Sequence, residues 1–273
     1  MVRREFDRWG GVGEAMIANR TLEVVEGTQL TAPSAMGVSS ALRSYDGGLP
    51  CGDVASVLPL SSGRTALVVI DVAGHGTARA PLSRALDDVM TASLRRDGSP
   101  ALALNCAHQL LLASGDELPY AVAFVALVNP VFRTIVYASA GHDVAFTLAD
   151  DGRIRHLAQT ATMLGLPLTN NACDAVFVLD PKVTLVIASD GISDSRPAGS
   201  DQFFGALGTA GAVTRSLFNG SDPAQAVLDA ACEHAGGRQA DDVAVLVTRL
   251  GPWPAYQLRR SPVRPAKTSR VYA

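Results

Sequence analysis

Four places in the sequence put a carboxylate at the end of an apolar run. Gly52-Asp53 opens one run, Asp71 closes ALVVID, Ser189-Asp190-Gly191 closes VTLVIA, and Asp241-Asp242 leads into VAVLV. Each run reads as a buried strand, so each acid stands at a sheet edge. An ionised carboxylate there needs backbone donors, a base or a cation, because desolvating it alone costs more than a fold can supply. Local bases are missing: no Lys or Arg lies within four residues of Asp71, and the nearest cation in sequence to Asp190 is Arg196. Asp-Gly at a strand end is also an ordinary turn, and for any one of these positions alone that reading suffices. Carboxylates converging from separate strand ends, however, are what Mg2+ or Mn2+ takes, since these hard ions prefer oxygen ligands and retain waters. Two such ions close together serve phosphoryl transfer.

The runs between the acids supply the elements that must position them. VASVLPL (54–60), the turn Ser61-Ser62-Gly63 and TALVVIDV (65–72) predict a β-hairpin. Pro81 opens a helix whose Leu82, Leu86, Val89, Met90 and Leu94 recur at helical spacing, and a second helix is expected over Pro100 to Ala113. Runs at 121–128, 134–139, 144–149 and 154–157 predict an antiparallel meander, and 175–179 with 183–189 a second hairpin about Asp180-Pro181-Lys182. Helices follow over 201–218 and 222–235, the latter capped by Ser221-Asp222-Pro223, and VAVLVTRL (243–250) is the last strand. Residues 1–45 show no sustained period; a short helix is expected around Gly13 to Arg20 and a strand around Leu22 to Glu26. Strand pairs alternating with helix pairs imply an α+β fold in which mainly antiparallel sheets stack and helices cover their outer faces.

Composition bounds the function. With 273 residues and 48% hydrophobic residues the chain can bury one large core. Five of its 23 Lys and Arg and none of its 26 acids fall in 251–273, so residues 1–250 carry a net charge of −8. An acidic body argues against nucleic acid as the partner. Cys51, Cys106, Cys173 and Cys232 lie far apart without a CxxC, and are expected as reduced core residues. The longest apolar run, Ala121 to Val128, is too short for a membrane span, so a soluble, cytoplasmic protein is expected. The expected organisation is a lead-in over 1–44, one domain over 45–250 and a disordered basic, Pro-rich tail over 251–273.

Taken in order, GD (52–53), DVAGHG (71–76), SAGH (139–142), LGLPL (164–168), ASDGISDSR (188–196) and DDVAVLVTR (241–249) resemble the PPM-type metal-dependent serine/threonine phosphatases, specifically the bacterial SpoIIE/RsbU-like branch. The resemblance covers roughly residues 45–250 and implies a four-layer α-β-β-α sandwich. It implies two Mn2+ or Mg2+ ions, with Asp71 bridging them, the backbone carbonyl of Val72 on one, and Asp53, Asp190 and Asp241 completing the set; Asp241 is favoured over Asp242. It implies hydrolysis of phosphoserine or phosphothreonine by a metal-bridging hydroxide without a phosphoenzyme, on a phosphoprotein such as an anti-sigma-factor antagonist.

His75, four residues after Asp71, is a candidate general acid for the leaving oxygen; the other reading is that it orders its loop. His142 is read as structural, and His108, His156 and His234 as ordinary helix or surface residues. Two departures stand out. Asp53 lacks the aromatic residues and further acid that usually follow it in the family, having Val54-Ala55-Ser56 instead, and no arginine takes the wider family's phosphate-binding place, Arg43 being the nearest candidate. The altered surroundings of Asp53 keep a second hypothesis open, a pseudophosphatase that binds a phosphoprotein without turnover.

Overall fold

The structure, a computed structural model, describes residues 36–45, 51–114, 120–167, 170–180 and 182–250. The helix expected at 13–20, the strand at 22–26 and the tail at 251–273 lie outside the described residues.

Among the described residues ten strands form two five-stranded sheets, and neighbouring strands in each sheet pair antiparallel. In the first sheet the order is β1 (Met36–Arg43), β10 (Val243–Leu250), β9 (Thr184–Ala188), β6 (Val144–Leu148) and β7 (Ile154–His156). In the second it is β2 (Asp53–Pro59), β3 (Thr65–Val72), β4 (Ala121–Asn129), β5 (Thr134–Ala140) and β8 (Ala175–Val178). Among the described residues five α-helices flank them: α1 (Ala80–Asp97), α2 (Pro100–Ala113), the single turn α3 (Asp190–Ser193), α4 (Gly205–Asn219) and α5 (Pro223–His234).

Three apolar clusters account for four layers. Successive side chains of a strand point to opposite faces, so β3 sends Leu67 and Val69 into the space between the sheets and Ala66, Val68 and Ile70 against α1 and α2. β4 divides likewise, with Phe124 and Ala126 inward and Val125 and Leu127 toward the helices. On the other side β10 buries Ala244 and Leu246 between the sheets and Val243, Val245 and Val247 against α4 and α5. Strands buried on both faces read as unbroken apolar runs. Truncating the fully buried Phe124 to alanine would cost about 3–5 kcal/mol. The expected α+β sandwich is the observed fold.

Its connections differ from expectation in three places. The meander is broken: β5 stays on β4, but Gly141 turns through φ 67 and the chain crosses to the other sheet, where β6 pairs with β9 and β7. Strands 175–178 and 184–188 are no hairpin either. Leu179 N–H bonds the Arg133 carbonyl and holds β8 on β5, whereas β9 lies between β10 and β6, so the short link crosses between sheets. Finally β1, MGVSSALR, was not expected as a strand; it edges the first sheet against β10. The fourth helix begins at Gly205, not 201. The four cysteines form no disulfide with one another, and only Cys51 is buried while Cys173 is exposed, so they are not a set of core residues.

Candidate metal centre

Register brings the first two acids together. Asp53 opens β2 and stands opposite Asp71 near the end of β3. Asp53 lies on the same face as Ala55 and Val57, and Asp71 on the same face as Leu67 and Val69, so both carboxylates point between the sheets. The opposite sheet ends at the same level: β9 delivers Ser189 and Asp190, and Asp241-Asp242 lead into β10. The four acids singled out in the sequence are thus at one end of the sandwich.

Burial there is uneven: Asp53 is sealed, Asp71 and Asp241 are half-buried, and Asp190 is exposed. Asp53 is 3% exposed; it accepts a hydrogen bond from the Ser189 side chain, while its Oδ2 has no partner among the described residues. Its carboxyl is held well above the usual range, by burial first, opposed by Ser189 and reinforced by Asp242, Asp190 and Asp241. Asp71 is pushed up to about 10 by burial, then by the charges of Asp53 and Asp190, a carboxyl–carboxyl hydrogen bond with Asp190, and Asp241. Asp241 is raised as well, again by burial first; the Asp242 amide bonded to it and the nearby His75 act the other way. None of the largest influences on Asp53 or Asp71 is a base.

Asp242 behaves differently from its neighbour. It is 1% exposed, and its two oxygens accept from Tyr45 N, Ser44 Oγ, Gly52 N and Gly76 N. Sequence reasoning set it aside and missed this role, because its partners lie 166 to 198 residues away.

The glycines of DVAGHG have distinct reasons. Gly74 takes φ 89, and a Cβ there would lie 2.8 Å from Arg79 Nε, so the exposed Arg79 side chain folds over the loop. Gly76 takes φ 80 and leads into a 3-10 turn at Thr77–Arg79. Exposed His75 packs its ring 4.2 Å from that of Tyr45. Val72 ends β3 with its side chain buried. Arg43 ends β1 opposite Val243. The other histidines differ in setting. His108 is buried on α2 and its Nδ1 accepts from Gly165 N, so it is no surface residue, while His156 and His234 are exposed.

Among the described residues no three Asp, Glu, His or Cys side chains already stand as a cage around one ion. Mg2+ and Mn2+ do not need one, because such ions are held by one or two carboxylates and keep several waters. The donor set is hard oxygen, no base is among the main influences on Asp53 or Asp71, and among the described residues a buried Oδ2 is left without a partner. These residues fit divalent cations.

Residues 61–251 match the family model of Stage II sporulation protein E (SpoIIE). The chain belongs to this family. As a SpoIIE-family member it shares its fold with solved phosphatase domains. The PP2C phosphatase domain and regulatory-domain fragment of the cell-fate determinant SpoIIE from Bacillus subtilis superposes with a TM-score of 0.68 at 18% identity, over 79% of this chain and 64% of that one. The RsbU and RsbW domains of Rv1364c from Mycobacterium tuberculosis give 0.69 at 19%, over 85% and 65%. RsbX, solved in complex with magnesium, gives 0.61 at 13%, over 82% and 99%. The chain therefore spans less than two thirds of the first two of these structures. No curated protein matches it. Among the described residues no helix is long and apolar enough to cross a membrane.

Proposed function

We propose that the chain is a Mn2+- or Mg2+-dependent protein serine/threonine phosphatase that hydrolyses phosphoserine or phosphothreonine on a regulatory protein. The observation that carries this reading is the Asp53–Asp71 pair, buried and half-buried respectively on the inward face of one sheet beside Asp190 and Asp241, with Asp53 Oδ2 unpartnered among the described residues. Asp53, Asp71, Asp190 and Asp241, with the Val72 carbonyl, would hold two cations. Bound there, such ions would activate a water and neutralise charge developing on the phosphoryl oxygens. The chain's own part is to hold the four acids together at one end of the two sheets. His75 projects beside Asp241 at the exposed rim, where it can pass a proton to a leaving seryl oxygen. An anti-sigma-factor antagonist is the regulatory protein that the sequence resemblance implies as substrate.

The alternative, a binding module without turnover, rests on the altered residues after Asp53. Ser56 points to the helix side and donates to Asp87 of α1 at 2.9 Å, so that substitution lies on the face away from the acids. Hydrolysis of a chromogenic aryl phosphate separates the two. Turnover with Mn2+ that is abolished by chelator and by Asp71→Ala is expected. Equal rates in all three conditions would sink the enzyme reading.

A further inference from the structure

We infer that Asp242 is a positioning residue, one that sets the cation affinity of the centre by fastening its loops to one another without itself touching a cation; this rests on the metal-dependent reading above. Its Oδ1 accepts from Tyr45 N at 2.7 Å and Ser44 Oγ at 3.2 Å, and its Oδ2 from Gly52 N and Gly76 N at 2.8 Å each. A carboxylate offers about four acceptor sites, and here all are taken by protein donors on a side chain sealed from solvent. No lone pair remains for a metal. Asp241, whose Oδ1 takes a single amide bond from Asp242 N, is the member of the pair able to ligate.

The donors are placed where their geometry matters. Gly52 immediately precedes Asp53, and Gly76 closes the loop that follows the β3 strand carrying Asp71. A Cβ on Gly52 would come 3.0 Å from Asp242 Oδ2, so a glycine is what allows this amide to approach. The Asp242 backbone completes the set. Its carbonyl oxygen occupies the space that a Gly191 side chain would need, pressing against the turn that carries Asp190. The segments bearing Asp53, Asp71, Asp190 and Asp241 therefore all meet at one residue. Groups that orient ligands typically change metal affinity about 10–100-fold when removed.

Asp242→Asn tests this, because it keeps the shape but replaces one oxygen by an NH2 group that must face two donors, whichever way the amide turns. Two readouts are needed. Titration calorimetry with Mn2+ is expected to show a dissociation constant raised about 10–100-fold, with kcat recovering toward the wild-type value at saturating Mn2+. Hydrogen exchange without metal is expected to speed up at the backbone amides that the new NH2 group faces, either Gly52 and Gly76 or Tyr45. Unchanged Mn2+ affinity with unchanged exchange overturns the proposal. Loss of Mn2+ binding at every concentration with exchange left as in wild type also overturns it, since that is how a ligand behaves. A wild-type protein that binds no Mn2+ defeats the metal-dependent reading instead, and the exchange measurement then still decides whether the latch exists. Should Asp242→Asn not fold, Ser44→Ala removes one donor and is expected to raise the dissociation constant about 2–5-fold; no rise overturns the proposal.

Discussion

Asp53 and Asp71 face one another directly across the β2–β3 ladder, two carboxyls on the inward face of a sheet with no base among the strongest influences on either. Like charges in opposite cross-strand positions destabilise a sheet, and burial adds to the cost. The sign of the linkage follows. With its folded pKa raised to about 10, Asp71 contributes stability that is present below the ordinary carboxyl range and lost as pH rises toward 10, so the metal-free protein is penalised at neutral pH.

Asp71→Asn should therefore separate stability from activity. At pH 7 with chelator the variant is expected to be more stable than wild type by about 1 kcal/mol or more, a Tm higher by a few degrees. Mn2+ should raise the Tm of wild type but not of the variant, and the variant should lack phosphatase activity. Thermal melts with and without Mn2+ check this; a variant that melts below wild type in chelator contradicts it.

What the sequence made legible was whatever is local. Asp71 stood out because eight consecutive residues, TALVVIDV, are interrupted by one charge, and the β2–β3 hairpin followed from Ser61-Ser62-Gly63 between two such runs. Non-local pairings were opaque. MGVSSALR lacks a strand-like apolar alternation because Ser39 is buried for a tertiary reason, donating to Asp222 at the cap of α5. The crossing at Gly141 looks in sequence like any Gly turn in a meander, because the residues that crowd it, Met163 and Val122, lie some twenty positions away on either side. Asp242 was unreadable as a latch for the same reason: its four partners are remote in sequence, and nothing in the string DD distinguishes a ligand from a fourfold acceptor.

Gly191 should be among the least replaceable glycines. Its backbone is ordinary, so the constraint is space: an added Cβ would strike the Asp242 carbonyl oxygen and approach Val243 Cγ1 at 2.8 Å. Gly191→Ala is expected to cost about 1–3 kcal/mol in urea denaturation and to weaken Mn2+ binding by displacing the adjacent Asp190. Gly211→Ala is the control, because it sits in α4 with only the Arg215 side chain at 3.5 Å. That change should be neutral or stabilise by about 0.5–1 kcal/mol through helix propensity. Equal effects at the two positions would count against the packing argument.

His142 gives the fold a pH dependence separate from the acids. It is 2% exposed, tilted against Phe124 at 6.2 Å, and neither ring nitrogen has a hydrogen-bond partner among the described residues. Burial lowers its pKa to about 4, so between that value and the unfolded value of about 6.5 the unfolded chain binds more protons than the native one. Stability must then fall as pH falls through this window. From pH 7 to pH 5 this one residue is expected to remove about 2 kcal/mol. His142→Leu deletes both unsatisfied nitrogens at similar volume, so it should be neutral or stabilising at pH 7 and lose less stability than wild type on acidification. Urea denaturation of both proteins at pH 7 and pH 5 measures the difference. Parallel losses in the two would mean that the native state offers His142 a proton acceptor or a water, and that it is not held neutral by burial.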